Sequence, residues 1–168
     1  VGANALKVGV LPTPAIAYLI RYFHADAGVV ISASHNPVEY NGIKFFDKDG
    51  YKLKDDIEDE IEALLEKPYD TLESPTGTDV GMVFYRDGLR PYVDFIKKSV
   101  GTRFDNIKVA VDCANGAAHL AAPLALKELG AELQVINHEP DGCNINLCAG
   151  STHPEAVSDL VKRVGADV

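Results

Sequence analysis

No apolar run among the 168 residues approaches the roughly 20 that cross a bilayer as a helix, so no membrane span is expected. The first residues are neither basic nor followed by an apolar signal core, and no secretory signal is expected either. Lys and Arg number 16 against 25 Asp and Glu, leaving a formal charge of −9. That balance argues against a nucleic-acid partner, which is held by clustered positive charge. Three cysteines at irregular spacing make no disulfide framework. Together these shortages point to a reduced, cytoplasmic protein that engages neither membrane nor nucleic acid. Two catalytic or cofactor fingerprints are missing as well. No Gly-x-Ser-x-Gly elbow marks an α/β hydrolase, and no Gly-x-Gly-x-x-Gly opens a helix to cradle a dinucleotide, Asn115-Gly116 included.

What the chain does have is apolar content of 46%, enough to bury a real core in one or two domains. Strand and helix patterns alternate along it. Leu6–Leu11 reads as a strand, and Thr13-Pro14 as an N-cap with proline at the first helical position. Ala15–Phe23 is apolar almost all round, which predicts a largely buried helix. Asp49-Gly50 predicts a hairpin turn between Ile43–Phe46 and Tyr51–Leu53. Asp55–Glu66 is amphipathic, with Ile57, Ile61, Leu64 and Leu65 on one face. Residues 68–81 lack periodicity and read as a linker. Beyond it, Leu89–Val100 reads as a helix, Ile107–Asp112 as a strand, Pro123–Leu129 as a helix stopped by Gly130, and Glu132–Ile136 as a strand. Thr152 and Glu155 form a capping-box pattern ahead of a last helix. The β-α-β-α order predicts an α/β fold of two consecutive three-layer units with mainly parallel sheets and right-handed crossovers. The units are expected at 1–85 and 86–168, with a boundary near 82–88.

The densest chemistry lies in Ser32-Ala33-Ser34-His35-Asn36-Pro37. It follows Gly28-Val29-Val30-Ile31, a short β-branched run with the pattern of a fully buried strand. Polar residues at the carboxyl end of such a strand occupy the place where open α/β sheets bind ligands. Asn41-Gly42 can turn the chain back, so that Ser34, His35 and Lys44 can face one another across a strand-loop-strand unit. Plainer readings stand beside this one. Ser34 can be a turn serine capping a backbone donor, His35 a loop histidine bound to a carbonyl, and Lys44 a solvent-facing strand residue between core-facing Ile43 and Phe45. A Ser-His hydrolase pair is disfavoured, because neighbours on extended backbone point to opposite sides.

Other clusters carry less. Asp47-Lys48-Asp49-Gly50 lacks the remaining ligands of a calcium loop and reads as a turn. Cys143 and Cys148 with His138 or His153 match no usual zinc spacing. Cys113 at the end of a buried strand reads as a small hydrophobe.

The run from Gly28 to Phe46 resembles the active-serine segment of the phosphohexomutases, most closely of their glucosamine branch. Val111-Asp112-Cys113-Ala114-Asn115-Gly116-Ala117-Ala118 resembles the opening strand and turn of that family's second domain. Asp141-Gly142-Cys143-Asn144-Ile145-Asn146 and Gly150-Ser151-Thr152-His153-Pro154-Glu155 resemble a later stretch of it. The resemblance is collinear over essentially the whole chain.

It implies a phosphotransferase that interconverts glucosamine 6-phosphate and glucosamine 1-phosphate through a phosphoserine and a sugar bisphosphate. Ser34 would be the phosphoserine, His35 a proton-exchanging or orienting neighbour, Lys44 the charge-stabilising and proton-relaying cation, and Asn36 a substrate contact. The implied cofactor is Mg²⁺, ligated by the phosphate on Ser34 and by an aspartate loop of the DGDxDR type that these residues do not contain. The implied partner is a hexosamine phosphate, with a homodimer allowed. The family's arginine-bearing N-terminal segment and its sugar-selecting and phosphate-clamping loops have no counterpart here, so the expectation is a fragment, inactive by itself. A phosphomannomutase/phosphoglucomutase and a non-catalytic sugar-phosphate-binding module remain the alternatives.

Overall fold

The structure, a computed structural model, describes residues 2–68 and 74–168. Residues 69–73, inside the expected linker, lie outside the described residues. In chain order the elements are β1 (Ala5–Lys7), α1 (Thr13–Phe23), β2 (Ala27–Ile31), β3 (Ile43–Asp47), α2 (Asp55–Leu65), β4 (Val83–Tyr85), α3 (Leu89–Val100), β5 (Lys108–Asp112), α4 (Ala121–Glu128), β6 (Glu132–Ile136) and α5 (Glu155–Val164). The alternation is that of an α/β fold.

The strands pair two by two. β5 and β6 are parallel, in register from Lys108 opposite Glu132 to Asp112 opposite Ile136, with α4 as the crossover between them. β1 and β4 are also parallel, Ala5 opposite Val83, although nearly 80 residues separate them in sequence. Asn4 ties the same junction by accepting the Met82 N–H on its side-chain oxygen at 2.9 Å. β2 and β3 instead form an antiparallel hairpin, Ala27 opposite Asp47 and Ile31 opposite Ile43. The Asp49-Gly50 turn forms as expected. Gly50 has φ 84°, a conformation favourable for glycine alone, and a Cβ there would strike the carbonyl oxygen of Ala17 on α1. The strand expected after that turn is reduced to one bridge, Phe46 to Lys52.

Two clusters of buried side chains lie among the described residues. The larger joins Leu11, Ala15 and Leu19 from α1 and its approach to Tyr92 and Val93 of α3 and Ala121 and Ala125 of α4. Tyr18 stacks on Phe95 at its edge, with ring centroids 4.2 Å apart. The smaller packs Ile20 of α1 against Val30 and Phe46 of the hairpin. Gly28 makes that contact possible, since a Cβ on it would collide with the Ile20 side chain.

Several local expectations are corrected. Pro12, with extended backbone, holds the N-cap position of α1, so Thr13 is the first helical residue and its hydroxyl caps nothing. α1 buries Ala15, Leu19 and Ile20 but leaves Tyr22 half-exposed. β1 stops at Lys7 rather than Leu11. β2 is not buried on both faces: Val30 faces α1, while Val29 and Ile31 are open to solvent together with Ile43. α2 forms where its periodicity predicts, yet it buries no residue. The capping box is not made, because Pro154 occupies the N-cap of α5 and the Glu155 carboxylate turns to His153 Nδ1 at 3.1 Å.

α3 and α4 are also joined by charge. Arg90 forks onto Glu128 at 2.7 and 2.9 Å, and Lys97 adds a third contact at 2.5 Å. The Arg90 hydrogen bonds, then those of Lys97, hold the Glu128 carboxyl down to about 2. A depressed folded-state value means that the charged form is the one folding favours. The stability it supplies is therefore complete above the ordinary carboxyl value of 4.5 and disappears as the pH falls through about 2. Urea midpoints of the wild type and Glu128→Gln, compared across the acid range, should converge over that interval. A gap that stays constant down to pH 2 would contradict this linkage.

Candidate active site

Ser34 lies where the strand-loop-strand reading puts it, in the exposed loop 32–42 that follows the carboxyl end of β2. The loop is closed at its base by the Ser32 N–H donating to the Gly42 carbonyl at 2.8 Å, and Asn41 caps the Gly42 N–H at 2.9 Å. Within it, Ala33 to Asn36 make a β-turn, with the Asn36 N–H donating to the Ala33 carbonyl at 3.2 Å. Ser34 takes the second position of this turn with φ 61°. That is left-handed backbone, which costs a non-glycine residue about 1 kcal/mol or more and persists only where its surroundings impose it. Its N–H is satisfied by Ser32 Oγ at 3.1 Å.

The same backbone twist undoes the argument against a Ser-His contact. The chain is not extended here, and Ser34 Oγ approaches His35 Nδ1 at 3.4 Å. This is long for a hydrogen bond between a hydroxyl and a ring nitrogen, and the imidazole tautomer sets which atom donates. His35 and Asn36 are exposed.

Lys44 sits on β3 directly opposite Val30 and is half-buried. Directly opposed residues of an antiparallel pair share a face, so Lys44 belongs to the face of Val30 and Phe46. This corrects the plainer reading that set it on the solvent side between core-facing neighbours: Ile43 is the exposed residue and Phe46 the buried one. No hydrogen bond or ion pair joins Lys44 to Ser34 or His35 among the described residues. The structure thus brings Ser34 and His35 together and leaves Lys44 on the adjoining strand.

Loop 32–42 forms one wall of a cleft of about 1150 Å³. Leu6 to Leu11 and the end of β2 also line it, and a further wall comes from the loops after β5 and β6, among them Asn115, His119, Pro140 and Ile145. Ser34 and Asn36 line it. The wall facing them is built on Asp112. Its Oδ1 accepts the Ala114 N–H at 2.8 Å and the Asn137 amide at 3.0 Å, and its Oδ2 accepts the Gly150 N–H at 2.9 Å. One carboxylate therefore binds the end of β5 to the end of β6 and to the loop that follows. Ala114, Asn115, Asn137, Asn146 and Cys148 all take positive φ there, so the loop needs such ties.

From this platform Asn146 reaches loop 32–42. Its side-chain amide donates to the Asn36 carbonyl at 2.9 Å and to the Ser34 carbonyl at 3.4 Å. Sequence reasoning marked Asn144-Ile145-Asn146 only as a matching stretch and gave Asn146 no role. The available signal was one of that stretch's two asparagines in a turn-prone loop, which does not say what it touches.

Among the described residues no group of three or more His, Cys, Asp or Glu is placed to hold a metal ion. The side chains described do not by themselves form a cage for a metal ion. Cys143 and Cys148 are free and exposed. Cys113 is buried, which pushes its thiol up, with Asp112 adding to the effect; it behaves as the small hydrophobe its position suggested.

The first 71 residues match the family model described as phosphoglucomutase/phosphomannomutase, alpha/beta/alpha domain I. A phosphoglucosamine mutase of Clostridium novyi (strain NT) is 53% identical over the entire chain, which spans 38% of that relative. A phosphoglucosamine mutase of Clostridium botulinum (strain Loch Maree / Type A3) is 57% identical over 98% of the chain, equal to 36% of the relative. The chain thus spans little more than a third of the length of the curated relatives it matches. Among solved structures, a phosphoglucomutase/phosphomannomutase family protein from Burkholderia thailandensis superimposes with a TM-score of 0.73 over 96% of this chain and 35% of its own. At 24% identity that likeness speaks to the fold. The chain is thus similar by sequence, along its whole length, to part of these phosphoglucosamine mutases, and its first 71 residues match the family's domain I.

Proposed function

We propose that residues 1–168 are the phosphoryl-carrying part of a longer phosphoglucosamine mutase, with Ser34 as the carrier. The observation that supports this most directly is the conformation of Ser34: an exposed hydroxyl on a left-handed turn, at a strand's carboxyl end, lining a large cleft. The two units would be 1–85 and 86–168, with the cleft where they meet. The protein would act in the cytoplasm, and among the described residues no helix is long and apolar enough to cross a membrane.

The reaction would run as a double transfer. The bond from phosphorus to Ser34 Oγ breaks as a sugar hydroxyl oxygen bonds to phosphorus, that hydroxyl gives up its proton to a base, and the Ser34 oxygen takes one up. The sugar bisphosphate reorients and returns its other phosphoryl group to Ser34 Oγ by the reverse steps. Such transfers depend on alignment and on neutralising the equatorial oxygens. His35, whose Nδ1 lies 3.4 Å from Ser34 Oγ, would exchange a proton with the reacting oxygen. Lys44 would stabilise charge there, which requires its flexible side chain to reach around the hairpin edge once phosphate is present. Asn36 would contact the substrate. Mg²⁺, when bound, would add charge neutralisation at the phosphate on Ser34. The hexosamine phosphate assignment rests on the names of the relatives.

Active full-length enzyme should carry phosphate on Ser34, read as about +80 Da on the peptide containing it, and Ser34→Ala should abolish turnover. Phosphate that is required for activity and maps elsewhere would refute the assignment.

Lys44→Met keeps the length and packing of the side chain and removes its charge. Turnover should fall by about 10²–10³, the usual effect of losing one electrostatic contact to a transition state, with the thermal midpoint little changed. Wild-type turnover would return Lys44 to a packing role.

Specificity is read from kcat/KM for glucosamine, glucose and mannose 6-phosphates. Glucosamine 6-phosphate should give the highest value. If glucose or mannose phosphate is preferred, the enzyme is a phosphoglucomutase/phosphomannomutase acting by the same chemistry.

A further inference from the structure

Ser34 holds left-handed backbone that a serine adopts only under constraint. The loop itself supplies part of that constraint, through the Asn36 N–H to Ala33 carbonyl bond and the Ser32 hydroxyl. These fix the amide side of Ser34. The carbonyl side, which sets ψ and so completes the orientation of the Cα–Cβ bond, has its partner 112 residues away in Asn146.

Asn146 is suited to that contact in three respects. It is half-buried and itself left-handed, with φ 57°, a conformation that asparagine tolerates better than most residues. Its backbone is fastened, because its N–H donates to the Ala114 carbonyl at 2.9 Å, inside the platform organised by Asp112. And its –NH₂ has two hydrogens for two carbonyl oxygens, those of Asn36 and Ser34. A carboxylate at the same place would have no proton to donate and would repel both oxygens.

We infer that Asn146 is a positioning residue for the phosphoryl carrier: its amide holds the Ser34–Asn36 turn from the loop that follows β6 and keeps Oγ aimed while its phosphoryl group comes and goes. This rests on the reading of Ser34 as the carrier. A group that must face two sugar oxygens in succession gains from a backbone that does not relax between the two transfers, since small misplacements of reacting groups cost rate heavily. The contact is made to main-chain oxygens, so it holds whether or not Ser34 is phosphorylated.

Two variants of the full-length mutase test this. Asn146→Gly accepts the left-handed backbone and deletes the amide, while Asn146→Asp keeps size and shape and deletes the donor. Both should retain the wild-type thermal midpoint. Amide exchange at residues 34–36 should speed up by about tenfold, the effect of losing one or two ordinary hydrogen bonds from a local opening equilibrium. Turnover should fall by about 10- to 100-fold with KM for sugar phosphate little changed, as expected when alignment rather than binding is lost. Wild-type exchange and wild-type turnover in Asn146→Gly would overturn the inference. So would a lowered midpoint with exchange accelerated throughout the chain, which would make Asn146 a general structural residue. Ser34→Ala separates the two readings: turnover that survives in that variant defeats the carrier assignment, whereas a dead Ser34→Ala beside a fully active Asn146→Gly defeats only the role of Asn146.

Discussion

Ala15 on α1 and Val93 on α3 are wholly shielded from solvent, and around them α1, α3 and α4 share one apolar core. Interiors packed at crystal-like density have few intermediate arrangements, so this contact fixes how the first half of the chain stands against the second. The cleft follows from it. Loop 32–42 leaves β2, which is anchored to α1 through Ile20 and Val30. The facing wall leaves β5 and β6, which are joined through α4. Neither wall contains the other's support. Their separation is a property of the three helices, and the contact from Asn146 to the serine loop can form only because that separation is set elsewhere.

The second wall shows how a short loop is kept in order without a large core. Several residues between Ala114 and Cys148 hold positive φ, each costing free energy. Asp112 offsets this with both carboxylate oxygens, directing three donors from three separate segments. Asp141 repeats the device on a smaller scale, accepting the Cys143 and Asn144 N–H groups at 2.7 and 2.9 Å. Charge-assisted bonds to backbone amides are stronger than neutral ones, which suits acids to this work.

Much of this was legible in the residues. Alternating periodicities gave the α/β class, and the helix Leu89–Val100 and the strand Glu132–Ile136 coincide with their expected limits. Ser34 was placed in a loop after a strand because β-branched residues end abruptly at Ser32. What failed were judgments that depend on partners distant in sequence. The run Gly28–Ile31 is apolar on both faces, yet α1 covers only Gly28 and Val30. Lys44 follows the same rule: its neighbours in sequence suggest a solvent-facing position, but its neighbour across the strand, Val30, is the buried one. The N-caps of α1 and α5 went wrong because proline occupies both positions and displaces the hydroxyl or box that local pattern suggests. Asn146 could not be read at all, since its partners lie more than a hundred residues upstream.

The two apolar clusters differ in size, and the difference bears on how the molecule moves. Three buried side chains attach the hairpin to α1, against seven in the core that joins the helices. Regions with fewer buried contacts open at lower free energy and often do so as cooperative units. The hairpin from Ala27 to Leu53 rests on the smaller of the two clusters. Ser34 is carried on the loop of that hairpin, on a part of the fold held by fewer buried side chains than the helical core. The surroundings of the Ser34 hydroxyl can therefore change shape at lower cost than the frame that holds the two halves of the chain together.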